Sequence, residues 1–366
     1  MPKVTSAPFR VLFTDLLSDQ PRDVLPVSGL RFDDYIGRSG ALSGTLPVPD
    51  RATAQRVQRA VIPGRTAVWV VQGSAVWWGG IAWTLTPSTD ERGFVSADLQ
   101  AATFDSYLDH RIVFDTLTSG HVDQFTAVRQ LVDYAQSLPG GDIGITMDDA
   151  QMSSVVRNHT VTGTDMTRVR EALDQLAGLE GGFEWRIRAT GTPDGARRKA
   201  LQLGYPVIRT GDRPVMLTHP GNVLSYSWPE DATNTANVWQ SRGATQNSNQ
   251  AADSAPMLSE LLTRAEDLTA GWPRLDGSSD YNTVRDRQAL NAHASADLAA
   301  ARPVTIPTLR VRLDELTPDL IGRTVRLRVN DVWHGAGLDA SYRVVGWQAT
   351  PEERGSGGSA EIYLEG

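Results

Sequence analysis

Alternation of apolar and polar residues dominates the first hundred residues and the last third of the chain. Residues 67–71 and 75–78 are two apolar runs separated by a turn sequence at 72–74, and they predict a β-hairpin. Residues 94–101 alternate with a period of two, which is typical of a strand with one buried face. The glycine pair at 79–80 inside the second strand of the hairpin indicates a bulge or a barrel corner.

The spacing of apolar residues becomes helical in the middle of the chain, between about 121 and 205. The predicted elements there are a helix over 123–138 capped by Asp123, a helix over 164–178 capped by Thr164, and a hairpin of strands at 182–188 and 199–205. Mixed elements between two strand-rich segments predict a small α+β insertion.

The last third returns to strands, with predicted helices at 257–268 and 283–301 and an exposed polar loop at 243–256. We therefore predict a mainly β protein with an α+β insertion. Its predicted domains are an N-terminal β-barrel-like domain over 1–118, an α+β domain over 119–210, and a second β-barrel-like domain over 211–366 that carries the helices and the polar loop.

Composition limits the classes of function. The 366 residues carry a formal net charge of −8, which disfavours a protein that grips nucleic acid through its phosphates. Cysteine is absent, so disulfides, thiolate metal sites and cysteine nucleophiles are excluded. The N-terminus lacks the apolar stretch of a signal peptide, and no apolar run of about 18 residues predicts a membrane span.

The sequence carries few signals of catalysis. The sequence has no serine nucleophile elbow, no phosphate-binding loop, no dinucleotide fingerprint and no pair of histidines at zinc-ligand spacing. Two carboxylate pairs, Asp105 with Asp109 and Glu180 with Glu184, are the candidates for glycoside hydrolysis. We interpret the aspartates as helix caps and Glu184 as a residue on an exposed strand face. We therefore predict no catalytic, cofactor-binding or metal-binding residues, and no enzyme.

Ten tryptophans are many for this length, and four of them fall on the hairpin predicted above. The neighbours Trp77 and Trp78 should face opposite sides of a strand. We expect one to pack inside a barrel and the other to lie at a subunit contact. The alternative is an aromatic platform that stacks on sugars or bases.

Four segments together resemble the tail-hub proteins of siphophages. They are the tryptophan-glycine strand at 76–81, the segment 99–111 that ends in Tyr-Leu-Asp-His-Arg, the insert segment 166–188, and the closing strands at 322–329 and 342–346. Each segment is a weak signal alone, and their order and spacing carry the resemblance. Residues 243–280 have no counterpart in it.

The resemblance implies a virion protein of the tail tip that is assembled in the host cytoplasm. It implies two β-barrel-like domains related by pseudo-symmetry, so that a homotrimer forms a pseudo-sixfold ring between tail tube and tip. The implied neighbours are a distal tail protein or tail-tube ring, the tape measure protein, and other minor tail and receptor-binding proteins. DNA would pass through the ring without specific binding, and no stable membrane insertion is implied.

Three other functions stay open. The chain could be a carbohydrate-binding or receptor-binding β-protein of the tail tip, a glycoside hydrolase, or the equivalent hub of a phage-derived injection machine.

An acidic protein suits a pore through which DNA slides, because like charges prevent phosphate contacts. Arginines lining the pore would contradict that hypothesis.

Overall fold

A computed structural model describes residues 7–192, 195–245, 255–303, 306–352 and 358–365. Contacts within the chain divide it into two compact units. The first comprises Met1–Asp174, Phe183–Ser227 and Pro307–Gly366, and the second comprises Gln175–Gly182 and Trp228–Ile306. The three-domain division predicted from the sequence stays a prediction.

The N-terminal elements form the hairpin-rich block that the alternating pattern predicts. They are β1 (Phe9–Asp15), β2 (Pro21–Leu25), β3 (Ser28–Tyr35), β4 (Ala41–Val48), α1 (Arg51–Ala60), β5 (Thr66–Gln72), β6 (Ala75–Thr89) and β7 (Val95–Thr103). The predicted hairpin at 67–78 is confirmed as β5 and β6. Asp50 begins α1 because its carboxylate accepts a hydrogen bond from the Thr53 amide at 2.7 Å.

The inserted segment has the predicted mixed composition. Its elements are β8 (Leu117–Asp123), α2 (Gln124–Ser137), β9 (Ile145–Thr146), β10 (Val156–Val161), α3 (Val169–Ala177), β11 (Glu184–Gly191) and β12 (Arg197–Gly204). The Asp123 cap on α2 is confirmed, since its carboxylate accepts from the Phe125 amide. The start of α3 at Thr164 is wrong, because Gly163–Asp165 forms a separate 3-10 turn that ends at Met166 in a left-handed conformation.

The remaining elements complete both units. They are β13 (Val215–His219), β14 (Val223–Ser227), β15 (Val238–Thr245), β16 (Pro256–Leu258), β17 (Leu262–Thr263), α4 (Ala265–Thr269), β18 (Asp276–Asp280), α5 (Arg287–Ala300), β19 (Thr308–Arg312), β20 (Thr324–Val329), β21 (Leu338–Thr350) and β22 (Ser359–Glu365). The helix predicted over 283–301 is α5, which begins later than predicted, at Arg287, after the Asp286 cap.

Thirteen strands of the first unit form one sheet, in the order β14-β19-β22-β21-β3-β4-β7-β6-β5-β1-β2, with β20 and β13 branching from β21. The two predicted barrels are therefore wrong: the described strands form open sheets. The C-terminal block continues into the N-terminal block through the antiparallel pair β21–β3. Local alternation marks the strands but does not encode this long-range pairing.

The tryptophan pair is buried through a β-bulge. The β5–β6 register shifts next to Val70 and Val71, which leaves Trp77 as the extra residue. The Trp77 ring lies 5.3 Å from the Phe9 ring and edge-on to Trp347. Trp78 is also buried and donates its indole N–H to the Asp33 carbonyl at 2.8 Å. The expectation that one of the pair lies at a subunit contact is therefore wrong, because both are covered within the chain.

The second unit is a small sheet with α5 packed against its central strand, β15. The predicted helix at 257–268 is wrong, since this segment contains β16, β17 and the start of the short α4. Arg264 anchors the segment by donating to the carbonyls of Ala236, Leu298 and Ala301. The predicted polar loop at 243–256 is contradicted at both ends, since residues 243–245 belong to β15 and Pro256 belongs to β16, and residues 246–254 lie outside the described residues.

The close approach of β6 and β7 at Gly80 yields a stability prediction. A Cβ atom at this position would lie 2.1 Å from the Ala102 carbonyl oxygen, which belongs to the paired strand and has no room to move. We expect Gly80→Ala to lower the free energy of unfolding by about 3 kcal/mol, measured by urea denaturation. The control is Gly120→Ala, where a Cβ meets no atom within 4 Å and the change should stay within about 0.5 kcal/mol. Equal effects of the two changes would contradict the prediction.

Candidate functional site

Asp105 and Glu184, one from each carboxylate pair singled out in the sequence, enter different ion pairs. Asp105 is buried, and its carboxylate accepts from Arg170 Nη1 at 2.6 Å and from Ser39 Oγ at 2.5 Å. Asp109 lies at the edge of the same group, 3.8 Å from Arg170 Nη1. Both carboxylates therefore lie in the same group of charges around the Arg170 guanidinium.

Glu184 joins the insertion to the C-terminal strands. Its two carboxylate oxygens accept from Arg343 at 2.6 and 2.7 Å, and one also accepts from the Ile208 amide at 2.7 Å. Arg343 is buried and bonds to Glu365 as well. The interpretation of Glu184 as a residue on an exposed face is therefore wrong. Its partner lies 159 positions away along the chain, which local alternation does not reveal.

A further ion pair, Asp34 with Arg186, joins β3 to β11 across 2.9 Å. Burial raises the pKa of Asp34 to about 6, with the charge of Asp105 adding to the effect and the charge of Arg186 opposing it. Nearby, Arg170 Nε lies 3.5 Å from the Asp174 carboxylate, and the Arg170 guanidinium lies over the Trp185 ring. We call this group of Asp34, Asp105, Arg170 and Arg186 the ionic cluster.

Lys199 adds a buried cation to the contacts of the insertion. Its ammonium donates to the carbonyls of Leu16 and Ile143, and it lies 5.0 Å from the centre of the Phe104 ring. Burial lowers the pKa of Lys199 to about 8, against the opposing charges of Asp19 and Asp142. Local sequence does not reveal this role, because Lys199 follows two arginines in a pattern that is typical of an exposed basic run.

The described residues contain neither a grouped set of metal ligands nor a helix suited to a membrane. Within the described ranges, no three side chains of His, Asp or Glu come together as a group that could hold a metal ion. Among the helices of the same ranges, none is both long and apolar enough to cross a bilayer.

The most extensive functional candidate is one face of the large sheet. Cross-strand register places polar side chains on it from β19 to β6: Arg310 and Arg312, Ser359 and Glu361, Gln348 and Thr350, Arg31 and Asp33, Ser43 and Thr45, Asp98 and Gln100, and Thr84 and Thr86. We call these fourteen residues the polar face. Three arginines oppose three carboxylates, and the other eight side chains are uncharged.

The opposite face of the same strands is apolar and buried, and includes Phe32, Leu42, Leu99, Trp347 and Ile362. The sheet therefore presents an almost continuous polar surface of short hydroxyl and amide side chains backed by a packed core. Such a surface has neither a large apolar patch nor a strong net charge, so it offers little for tight binding of a partner.

Comparison with solved structures decides the fold. The chain superposes on the tail protein from Neisseria meningitidis MC58 with a TM-score of 0.62 and 12% identity, over 98% of this chain and 96% of that one. The 43 kDa tail protein of prophage MuSo2 from Shewanella oneidensis gives a TM-score of 0.57 and 12% identity, over 97% and 98%. The fold is that of phage tail proteins.

A third tail protein agrees with the first two. Prophage tail protein gp18 from Listeria monocytogenes EGD-e gives a TM-score of 0.53 at 13% identity, over 97% of this chain and 94% of that one. No protein-family model and no curated protein matches the sequence. The tail-protein fold is therefore assigned from structural similarity, which extends over nearly the whole of each chain.

The ion pair between Glu184 and Arg343 yields a stability prediction. We expect Glu184→Gln to lower the free energy of unfolding by about 3 kcal/mol, because the neutral amide leaves the buried Arg343 guanidinium with a weaker partner. Chemical denaturation at pH 7 measures the loss. Glu91→Gln, in the exposed turn after β6, is the control and should change stability by less than about 0.5 kcal/mol. If Glu184→Gln left the free energy of unfolding unchanged, the ion pair would contribute nothing to the stability of the fold.

Asp34 yields a pH prediction. Its pKa is higher in the folded protein than the ordinary value of 3.8, so the folded state takes up a proton first as the pH falls. Asp34 therefore favours folding at pH 4 and loses that contribution as the pH rises through about 6. The free energy of unfolding, taken relative to Asp34→Asn, should fall by about 2 kcal/mol between pH 4 and pH 7. Asp98→Asn on the exposed face of β7 is the control, and an identical pH profile for both variants would contradict the prediction.

Proposed function

We propose that this chain is a structural hub protein of a phage tail tip, located in the virion. The observation that carries the proposal is the superposition on the Neisseria meningitidis tail protein over 98% of this chain and 96% of that chain. A match of this extent includes the insertion and the second unit as well as the large sheet. It supports a shared architecture for the whole chain rather than one common motif.

The proposal includes a homotrimeric ring around a channel, through which the tape measure protein and DNA leave the tail. The polar face supports this role. Its three arginines and three carboxylates balance, and uncharged side chains such as Ser43, Thr45, Thr84 and Thr86 separate them. A polyanion that moves along such a surface meets no cluster of cations that would hold its phosphates.

The proposed neighbours are a distal tail protein or tail-tube ring on one side and other minor tail or receptor-binding proteins on the other. A structural role without catalysis is also part of the proposal. It is supported by the ion pairs of Asp105 with Arg170 and of Glu184 with Arg343, which hold the candidate carboxylates in structural contacts.

Imaging of the purified chain tests the ring. We expect class averages of negatively stained particles at high protein concentration to show threefold rings with a central hole, because a closed ring satisfies a heterologous interface. A three-dimensional reconstruction should then place the polar face towards the hole. Rings lined by another surface would contradict the channel assignment, and dispersed monomers would contradict unaided assembly of the trimer.

A further inference from the structure

The ionic cluster surrounds a small cavity within the first unit. Its four residues line the cavity together with residues of β3, of the turn after β3 and of β11. The four side chains of the cluster expose only 8–13% of their surface, so most of their charge is removed from bulk solvent. Hydrogen bonds and charges inside such a cavity are stronger than at the protein surface, and unmet ones are more costly.

The cavity has room for one small molecule. It offers a volume of about 10 Å³ to the centre of a water-sized sphere, which is close to the minimum that a single water molecule requires. Phosphate, sulfate and sugar ligands contain several heavy atoms and are therefore too large. The size of the cavity limits its ligand to water or a monatomic ion.

Arg186 brings hydrogen-bond donors that require an acceptor. Its side chain is buried, and its Nη2 atom donates to Asp34 Oδ2 at 2.9 Å. Its Nε and Nη1 atoms are buried as well, and no atom of the described residues accepts a hydrogen bond from either of them. A buried charged donor without an acceptor is strongly destabilising, so the ligand of this cavity should accept from Arg186.

Asp105 brings the complementary requirement on the same cavity. Within the described ranges its hydrogen bonds from Ser39 Oγ and Arg170 Nη1 both end on Oδ2, which leaves Oδ1 as an acceptor. A ligand that lies between the two residues can therefore accept from Arg186 and donate to Asp105. Water has both donors and acceptors, whereas a monatomic ion does not have both.

The charges around the cavity also favour a neutral ligand. Arg38 and the two arginines of the ionic cluster bring three guanidiniums to the wall, and the two aspartates of the cluster bring two carboxylates. Two further carboxylates, those of Asp109 and Asp174, lie 3.8 and 3.5 Å from Arg170. An anion would lie beside carboxylates and a cation would lie beside guanidiniums, so an ion of either sign meets like charge.

We propose that this cavity binds one ordered water molecule, which accepts a hydrogen bond from Arg186 and donates one to Asp105 Oδ1. The water joins the pair of Asp34 with Arg186 and the pair of Asp105 with Arg170 into one hydrogen-bonded network. It thereby links β3 and the turn after β7 to α3 and β11 of the insertion. The bridge lies within one chain, so it does not depend on the ring of the proposed function.

A crystal structure of the purified chain at high resolution tests the site directly. We expect wild-type density for one water molecule within hydrogen-bonding distance of both Arg186 and Asp105 Oδ1. A map without that density, or direct bonds from Nε and Nη1 of Arg186 to protein acceptors, would overturn the proposal. Crystals soaked in bromide test the monatomic anion, and an anomalous peak at this position would assign the cavity to an anion instead.

A matched pair of variants tests the bridge in solution. Asp105→Glu adds one methylene and carries the carboxylate into the cavity, in place of the water, whereas Asp109→Glu makes the same change outside the cavity wall. Oxygen-17 magnetic relaxation dispersion counts long-lived internal waters. We expect one fewer in Asp105→Glu than in the wild type, and no change in Asp109→Glu. An unchanged count in folded Asp105→Glu would overturn the bridge to Asp105, and if that variant does not fold, the wild-type density decides.

Discussion

The antiparallel pairing of β21 with β3 is the constraint on which the rest of the first unit depends. It joins strands from the two ends of the chain, with Gly346 opposite Tyr35 and Ala349 opposite Phe32. Gly346 is required at this seam, because a Cβ there would lie 2.3 Å from the Tyr35 ring. One residue on, Trp347 packs edge-on against Phe32 at 5.6 Å. Without the seam, the sheet would split into two blocks and expose the paired edges of β21 and β3.

Charged contacts attach the insertion to this sheet. Asp34 with Arg186, Asp105 with Arg170, and Glu184 with Arg343 each connect the segment 169–188 to a strand or turn of the sheet. Buried ion pairs return little net stability, because desolvation offsets most of the Coulomb attraction. Their geometric demands are strict, however, since each guanidinium must meet its carboxylate in one orientation. These ion pairs therefore fix the position of the insertion more than they stabilise it.

Sequence reasoning succeeded where the determinants are local. The β5–β6 hairpin follows from two apolar runs and a turn, and α2 follows from Asp123 and an apolar stripe. It failed where a distant partner decides the structure. The segment 257–268 has helical spacing, yet pairing with β15 draws two short parts of it into strands. The bulge at Trp77 and the Arg343 partner of Glu184 likewise depend on residues that only the folded chain brings near.

The charges of the polar face bear on the hypothesis of a channel for DNA. The chain carries a net charge of −8, but the polar face does not share that excess, since three arginines and three carboxylates lie on it. Repulsion by an acidic wall is therefore not what would keep DNA moving along this surface. Arg310 lies directly opposite Glu361 on the neighbouring strand, so a carboxylate already balances its positive charge. A surface of short hydroxyl and amide groups with balanced charges offers no cluster of cations that would bind phosphates and displace the counterions of DNA.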